Sequence, residues 1–317
     1  MGTPNRLATK VIKPFAGVLN RARLGFPRSV FQGVGGLGDD LMATMILHEL
    51  KKRGVRNLVM STHHPGLFQN NSDVDRILFH PRPRLNRWLK WGLPLTTLSY
   101  ATYDPARDAD QMPNEHILIK LSRLACISGL VELRPYLFLT HEELAAGRLV
   151  ENQVVIQTSG LSAAHSMRNK DWYPQRFQEV CSGLRADSSV IQIGSPGDPK
   201  LEGALDMRGK TTYRESAAIL ANSLVFIGLV GFLMHLARAV DCRSVIIYGG
   251  REKPTQTGYV ANRNLYSPVC CAPCWLRNSC DFDRKCMDMI TTEQVLAAAT
   301  EQISHYGAGL EVQTAEL

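Results

Sequence analysis

Asp39 and Asp40 stand directly behind the glycine-rich run GVGGLG at 33–38 and at the head of the amphipathic stretch LMATMILHELKK. A carboxylate at such a turn either caps the helix, typically stabilising it by about 0.5–2 kcal/mol, or takes a proton from a nearby hydroxyl as a general base. One aspartate suffices for the cap, which leaves the other free for the base's role. The run fits G-x-G-x-x-G literally. Two acids in the first turn would nevertheless repel a phosphate, and no Lys-Ser/Thr pair follows, so it is a poor nucleotide-binding fingerprint.

Sulfur chemistry gathers elsewhere. Five of the eight cysteines fall within 270–286: Cys270, Cys271, Cys274, Cys280 and Cys286. Cys271-x-x-Cys274 with Cys280 and Cys286 supplies four thiolates for one zinc or iron ion, with no open coordination position, which would make the metal structural and tie it to folding or an oligomer contact. A disulfide pair is the alternative, disfavoured in a reducing compartment. A third set lies at QTSG, where Thr158, Ser159 and the Gly160 backbone end a strand and can donate hydrogen bonds to phosphate.

These residues need a scaffold. Buried apolar runs at 29–34, 57–61 and 76–79 alternate with a helical pattern at 39–52 closed by Gly54, which predicts a parallel, doubly wound sheet. Residues 81–112, rich in Pro, Arg and Tyr, read as long loops lining a cleft. A helix follows at 116–129. RPYLFLTHEELAAGRL then reads as a strand and a helix capped by Thr140, with Glu142 and Glu143 in its first turn. Beyond residue 150 the alternation restarts, with strands at 154–157, 190–193, 224–227 and 244–248 and helices at 174–184, 213–222 and 233–240. The expectation is a basic arm (1–28), one Rossmann-like domain (29–150) and a second (151–317) carrying the Cys-rich loop 270–286.

The 317 residues are 44% hydrophobic and 21% charged, the composition of a folded globular protein. The absence of an apolar run of 18 residues or of a signal peptide reads as cytoplasmic. The net charge of +7 is concentrated in the arm, where Arg6, Lys10, Lys13, Arg21, Arg23 and Arg28 precede any acid. With Leu7, Val11, Ile12, Phe15, Val18 and Leu19 the arm reads either as a peripheral contact with an anionic inner-membrane surface or anionic substrate, or as a packed or frayed segment. No nucleic-acid module is present, and nucleic acid is not an expected partner.

Four motifs occur in order between about residues 30 and 300: GGLGDDLMATMILHELKKRG, NKDWYPQRFQEVCSGL, FIGLVGFLMHLARAVDCRSVIIYGG and CAPCWLRNSCDFDRKCMDMITTEQV. Together they resemble glycosyltransferase family 9, the ADP-heptose:lipopolysaccharide heptosyltransferases and their relatives. The resemblance implies a GT-B fold. It implies an acceptor, a glycan such as lipopolysaccharide core or a protein, bound by the first domain and a nucleotide-sugar donor such as ADP-heptose bound by the second, with no catalytic metal. Asp39 matches the family's general base for inverting transfer, with Gly36, Gly38, Asp40 and, more weakly, His116 as acceptor-side residues. Lys170, before Trp172 and Pro174, matches the lysine that neutralises the leaving diphosphate. Gly228, Gly231 and His235 match the motif that opens the donor-facing helix. His235 is either hydrogen-bonded near the phosphates or a buried structural residue. Gly249, Gly250 and Thr257 match the loop bordering base and ribose. The chain departs from the family at Val230, where an acid is expected and valine accepts no hydrogen bond, so an impaired or non-catalytic nucleotide-sugar-binding or assembly protein stands as the alternative. Related protein heptosyltransferases carry iron at such a Cys site.

Overall fold

A computed structural model describes residues 17–79, 83–162 and 166–317. The expectations for Arg6, Lys10, Lys13, Leu7, Val11, Ile12 and Phe15 lie outside the described residues.

Two parallel sheets form the frame. The first comprises β1 (Val30–Gln32), β2 (Val59–Ser61), β3 (Arg76–Leu78) and β4 (Leu95–Thr97), in the order β3-β2-β1-β4. Two short ladders follow it in the chain. β5 (Tyr103–Asp104) and β6 (Ala109–Asp110) make a hairpin, and β7 (Leu130–Glu132) pairs antiparallel with β14 (Thr314–Glu316). The second sheet contains β8 (Gln153–Ile156), β9 (Ser189–Gln192), β10 (Leu205–Asp206), β11 (Val225–Leu229), β12 (Ser244–Gly249) and β13 (Asn262–Tyr266), ordered β10-β9-β8-β11-β12-β13. Every pairing within the two sheets is parallel. Parallel strands need crossovers, and the helices supply them.

The fully buried strand residues Val154, Val155, Ile156, Phe226, Ile227, Val245, Ile246 and Ile247 explain why these runs lack alternation: both faces of a covered parallel sheet are dry. One continuous apolar cluster runs from Leu41, Met45 and Ile46 to Leu233, Met234 and Leu236, so the helices Leu37–Lys52 and Phe232–Ala239 pack across the junction of the two sheets.

The sequence reading errs in several places. The helix expected at 116–129 spans only Ile117–Leu124, with Cys126 in the left-handed region just beyond its cap. Residues 81–112 are not only loops: they contain a helix, Pro83–Leu89, and strands β4 to β6. Arg134–Leu139 joins no ladder; the strand there is β7, just upstream. The stretch after Gly250 holds a short helix, Pro254–Thr257, in place of an open loop. By contrast, Thr140 caps the His141–Ala146 helix through a reciprocal bond pair with Glu143, at 3.1 and 2.8 Å.

Candidate functional site

The site grows from the turn between β1 and the Leu37–Lys52 helix. Gly35 has φ of +110°, the region in which glycine carries no steric penalty. A Cβ at Gly33 would lie 2.4 Å from Asp40 Oδ1, and one at Gly36 would lie 2.7 Å from Asp39 Oδ2. The missing side chains therefore let both carboxylates fold back over the turn. Gly36 N–H donates to Asp39 Oδ2 at 3.3 Å, so the half-exposed Asp39 closes the helix start itself. Asp40 is buried, and its Oδ2 accepts from the Thr62 hydroxyl at 2.5 Å and meets His64 Nδ1 at 2.9 Å. Asp40 thus anchors the loop after β2. The expected division of labour is reversed, because the capping residue is the candidate base.

Opposite this turn lies the second sheet's helix. Gly38 approaches His235 Cδ2 and Phe232 Cα, at 3.8 and 3.9 Å from an ideal Cβ position. Gly231 is the N-cap of Phe232–Ala239, and a side chain there would meet nothing within 4 Å. The helix N-terminus, with its free N–H groups and partial positive charge, thus opens onto the Asp39 turn. His235 Nδ1 contacts the Tyr259 hydroxyl at 2.6 Å. Burial, then the nearby Lys170 charge, pushes the ring down to about 3, so it is neutral. Gly228 does not open the helix; it lies inside β11 against the Phe226 ring. Val230 is buried in the apolar cluster, which accounts for a valine at this position.

Lys170 ends a short 3-10 turn, Arg168–Lys170, and its Nζ lies 2.7 Å from Glu252 Oε1. Glu252 follows β12, is 3% exposed, and also pairs with Arg251. Burial alone would raise the Glu252 carboxyl, but Lys170 and Arg251 outweigh it and hold it down at about 2. Arg251 in turn pairs with Asp110 of β6, whose other oxygen takes Arg277 at 2.5 Å. Tyr100 lies beside these charges as a neutral hydroxyl: burial, then Asp39 and Glu252, raise it well above the ordinary range. The half-exposed Asp39 on the first sheet's side thus lies at a turn that meets the N-terminus of Phe232–Ala239 and His235, with Lys170 near that histidine and Arg251 buried behind it. Glu252, Arg251, Tyr100 and Asp110 escaped the sequence reading. The charged pair in YGGREKP, immediately after a fully buried strand, was the available signal.

Several expected phosphate donors are engaged internally. Thr158 is buried and its hydroxyl donates to Pro199 O at 2.8 Å. The Ser159 hydroxyl and the Gly160 N–H both donate to Asp171, each at 2.9 Å. In this structure the buried Asp171 carboxylate thus takes the Ser159 and Gly160 donors, and Pro199 O that of Thr158. Gly249 adopts φ of +59° against the Met287 side chain, and Gly250 lies close to Cys286. Thr257 is buried, reaches the Tyr248 hydroxyl at 3.4 Å and also bonds the Glu252 carboxylate. His116, expected on the acceptor side, is 4% exposed and bonds Gly258 O at 2.9 Å, stapling the two sheet systems together.

Cys271, Cys274, Cys280 and Cys286 line one small pocket, with Arg251 and Arg284 at its wall. All are free thiols. The Arg284 N–H donates to Cys280 Sγ at 3.3 Å. Burial holds the thiols of Cys271, Cys274 and Cys286 above their usual range. Among the described residues, no three of the His, Cys, Asp and Glu side chains converge as a preformed metal-ligating group.

No protein-family model matches the chain, and no curated protein matches it by sequence. Solved structures do match. The ADP-heptose lipopolysaccharide heptosyltransferase II of E. coli superposes with a TM-score of 0.65 at 14% identity, over 88% of this chain and 99% of that one. The iron-containing dodecameric glycosyltransferase TibC of enterotoxigenic E. coli gives 0.66 at 18%, over 87% and 76%. A family 9 glycosyltransferase from Veillonella parvula gives 0.59 at 15%, over 87% and 97%. The chain therefore has the GT-B fold, two Rossmann-like units facing across a cleft, in the form that heptosyltransferases and glycosyltransferase family 9 adopt.

Proposed function

We propose that this protein is an inverting glycosyltransferase that moves a heptose-like sugar from a nucleotide diphosphate to a hydroxyl of a glycan or protein acceptor. The observation that carries the reading is the approach of the Asp39 turn to the N-terminus of Phe232–Ala239 and to His235, near which Lys170 lies. In that arrangement Asp39 takes the proton of the acceptor hydroxyl. The hydroxyl oxygen bonds to the anomeric carbon as that carbon's bond to the phosphate oxygen breaks, with inversion. The departing diphosphate carries its negative charge to Lys170 and the helix N–H groups. Since Lys170 is tied to Glu252, it must exchange a carboxylate for phosphate on binding. TibC has been solved with ADP-D-β-D-heptose, which favours ADP as the first nucleotide to try. The test is release of ADP from ADP-heptose with acceptor present. Asp39→Ala should lower the rate by about 10²–10⁴-fold, the range of general-base catalysis; an unchanged rate would rule out this mechanism.

A non-catalytic nucleotide-sugar-binding role is the second reading, and Val230 in the apolar cluster favours it. Donor binding by calorimetry without turnover distinguishes it.

Cys271, Cys274, Cys280 and Cys286 would hold a structural iron or zinc ion, since four thiols lining one pocket are the soft ligands such ions take, although they do not converge as a preformed set here and would have to draw together around the ion. When bound, the ion would fix the segment's fold. TibC is described as iron-containing and dodecameric, which supports iron and self-association here. A further partner is an anionic membrane surface. Val18, Leu19, Trp88 and Trp91 are exposed beside Arg21, Arg23 and Arg87, the mixture of apolar and cationic groups that holds proteins at such surfaces.

A further inference from the structure

The Cys-rich segment does more than enclose a cavity: its middle, residues 275–284, grips the turn that carries Lys170. Asn169, one residue before the lysine, is 5% exposed. Its side-chain amide donates to Leu276 O at 3.2 Å and Ser279 O at 2.7 Å, and its backbone N–H donates to Arg277 O at 3.0 Å. On the far side of the turn, the Arg284 guanidinium donates to Arg168 O at 3.1 Å and Asp171 O at 2.7 Å. The Arg284 N–H meets Cys280 Sγ, so one residue joins a thiol of the cluster to both ends of the lysine's turn. Residues 168, 169 and 171, which flank the lysine, are thereby tied to a segment more than a hundred positions away.

The same segment holds the first sheet's side. Asp110 N–H donates to Trp275 O at 3.0 Å, and Asp108 accepts from the N–H groups of Asn278 and Ser279 at 2.8 and 2.9 Å. The Arg277 guanidinium stacks on Tyr103, 3.8 Å from the ring centre. Residues 275–284 therefore set the Lys170 turn and the β5–β6 hairpin relative to one another. A short 3-10 turn has too few internal hydrogen bonds to fix a lysine by itself, and a charged group displaced by about 1 Å loses much of its value to a developing charge.

We propose that residues 275–284 position Lys170 for the diphosphate of the donor, with Asn169 and Arg284 as the positioning residues. The inference rests on the reading of this cleft as a nucleotide-diphosphate site. The test is ADP affinity by calorimetry on the full chain, together with the melting temperature, for the wild type, Arg284→Ala, Arg284→Lys, Lys170→Ala and the Arg284→Ala/Lys170→Ala double variant. Arg284→Ala is expected to weaken ADP about tenfold with a folded protein retained, and Arg284→Lys to recover part of the loss. The double variant should bind no more weakly than Lys170→Ala alone, because the arginine acts through the lysine. Amide exchange of residues 167–173 in ligand-free Arg284→Ala should be faster than in the wild type, while the remainder of the second sheet is unmoved. Unchanged ADP affinity in Arg284→Ala, or additive losses in the double variant, would overturn the inference and leave the glycosyltransferase reading standing. A wild-type protein that binds no nucleotide diphosphate would remove both.

Discussion

His116 carries the most definite consequence at the scale of single residues. The Leu118 N–H donates to its Nδ1 at 3.2 Å, while its Nε2 faces Gly258 O at 2.9 Å. A carbonyl only accepts, so the ring is the neutral Nε2–H tautomer, and a second proton at Nδ1 would oppose the Leu118 N–H. Burial pushes its pKa down to about 4, and that of His235 to about 3. Both lie below the unfolded value near 6.5. The stability they represent is therefore complete above pH ~6.5 and drains away as the pH falls toward the folded values, at roughly 1.4 kcal/mol per unit for each ring. The melting temperature should drop between pH 7 and 5, before most carboxylates titrate. His116→Gln should flatten that slope; thermal melts with an unaltered slope would refute this account. Such roles were illegible in the sequence because the deciding partners are remote. Asp171 was invisible as the acceptor of Ser159 and Gly160, and Glu252 as the partner of Lys170 eighty-two positions earlier.

Elements were legible in proportion to how much of their information is local. Pro174–Leu184 coincides with its expected bounds because Pro at the first turn and a four-residue apolar spacing are written into the segment. Strands β4 and β7 are three residues long, too short to show a period, and β7 exists because β14 pairs with it. The Cys-rich segment is the opposite case, strong in spacing and poor in regular structure. It should contain about one iron or zinc per chain by elemental analysis after purification without added metal. Cys280→Ser should lower that content and lower the melting temperature with it. Full metal content in that variant would remove Cys280 from the ligand set.

At the scale of the molecule, the doubly wound sheets followed directly from buried runs alternating with helical patterns. What fills the space between them did not, because each such contact pairs residues from different halves of the chain. Arg214, for example, joins Glu143, Gly66 O and Phe138 O. The surface is a separate matter. Asn20 donates to the carbonyls of Trp88 and Trp91, which sets two acid-free segments, 17–38 and 83–103, side by side. Co-sedimentation with vesicles rich in phosphatidylglycerol is expected at low salt and should weaken with ionic strength and in Trp88→Ala/Trp91→Ala. Equal recovery on neutral vesicles would argue against this surface. Finally, β14, near the far end of the sequence, is stitched to β7 beside the first sheet, and Leu133 N–H adds a bond to Gln313 O at 2.7 Å. The backbone therefore passes between the two sheet systems twice, outward toward β8 and back toward β14. Two chain crossings, added to the His116–Gly258, Arg214–Glu143 and Arg251–Asp110 contacts, tie the two units together at several points, so that separating them would require breaking buried bonds and not only flexing one linker.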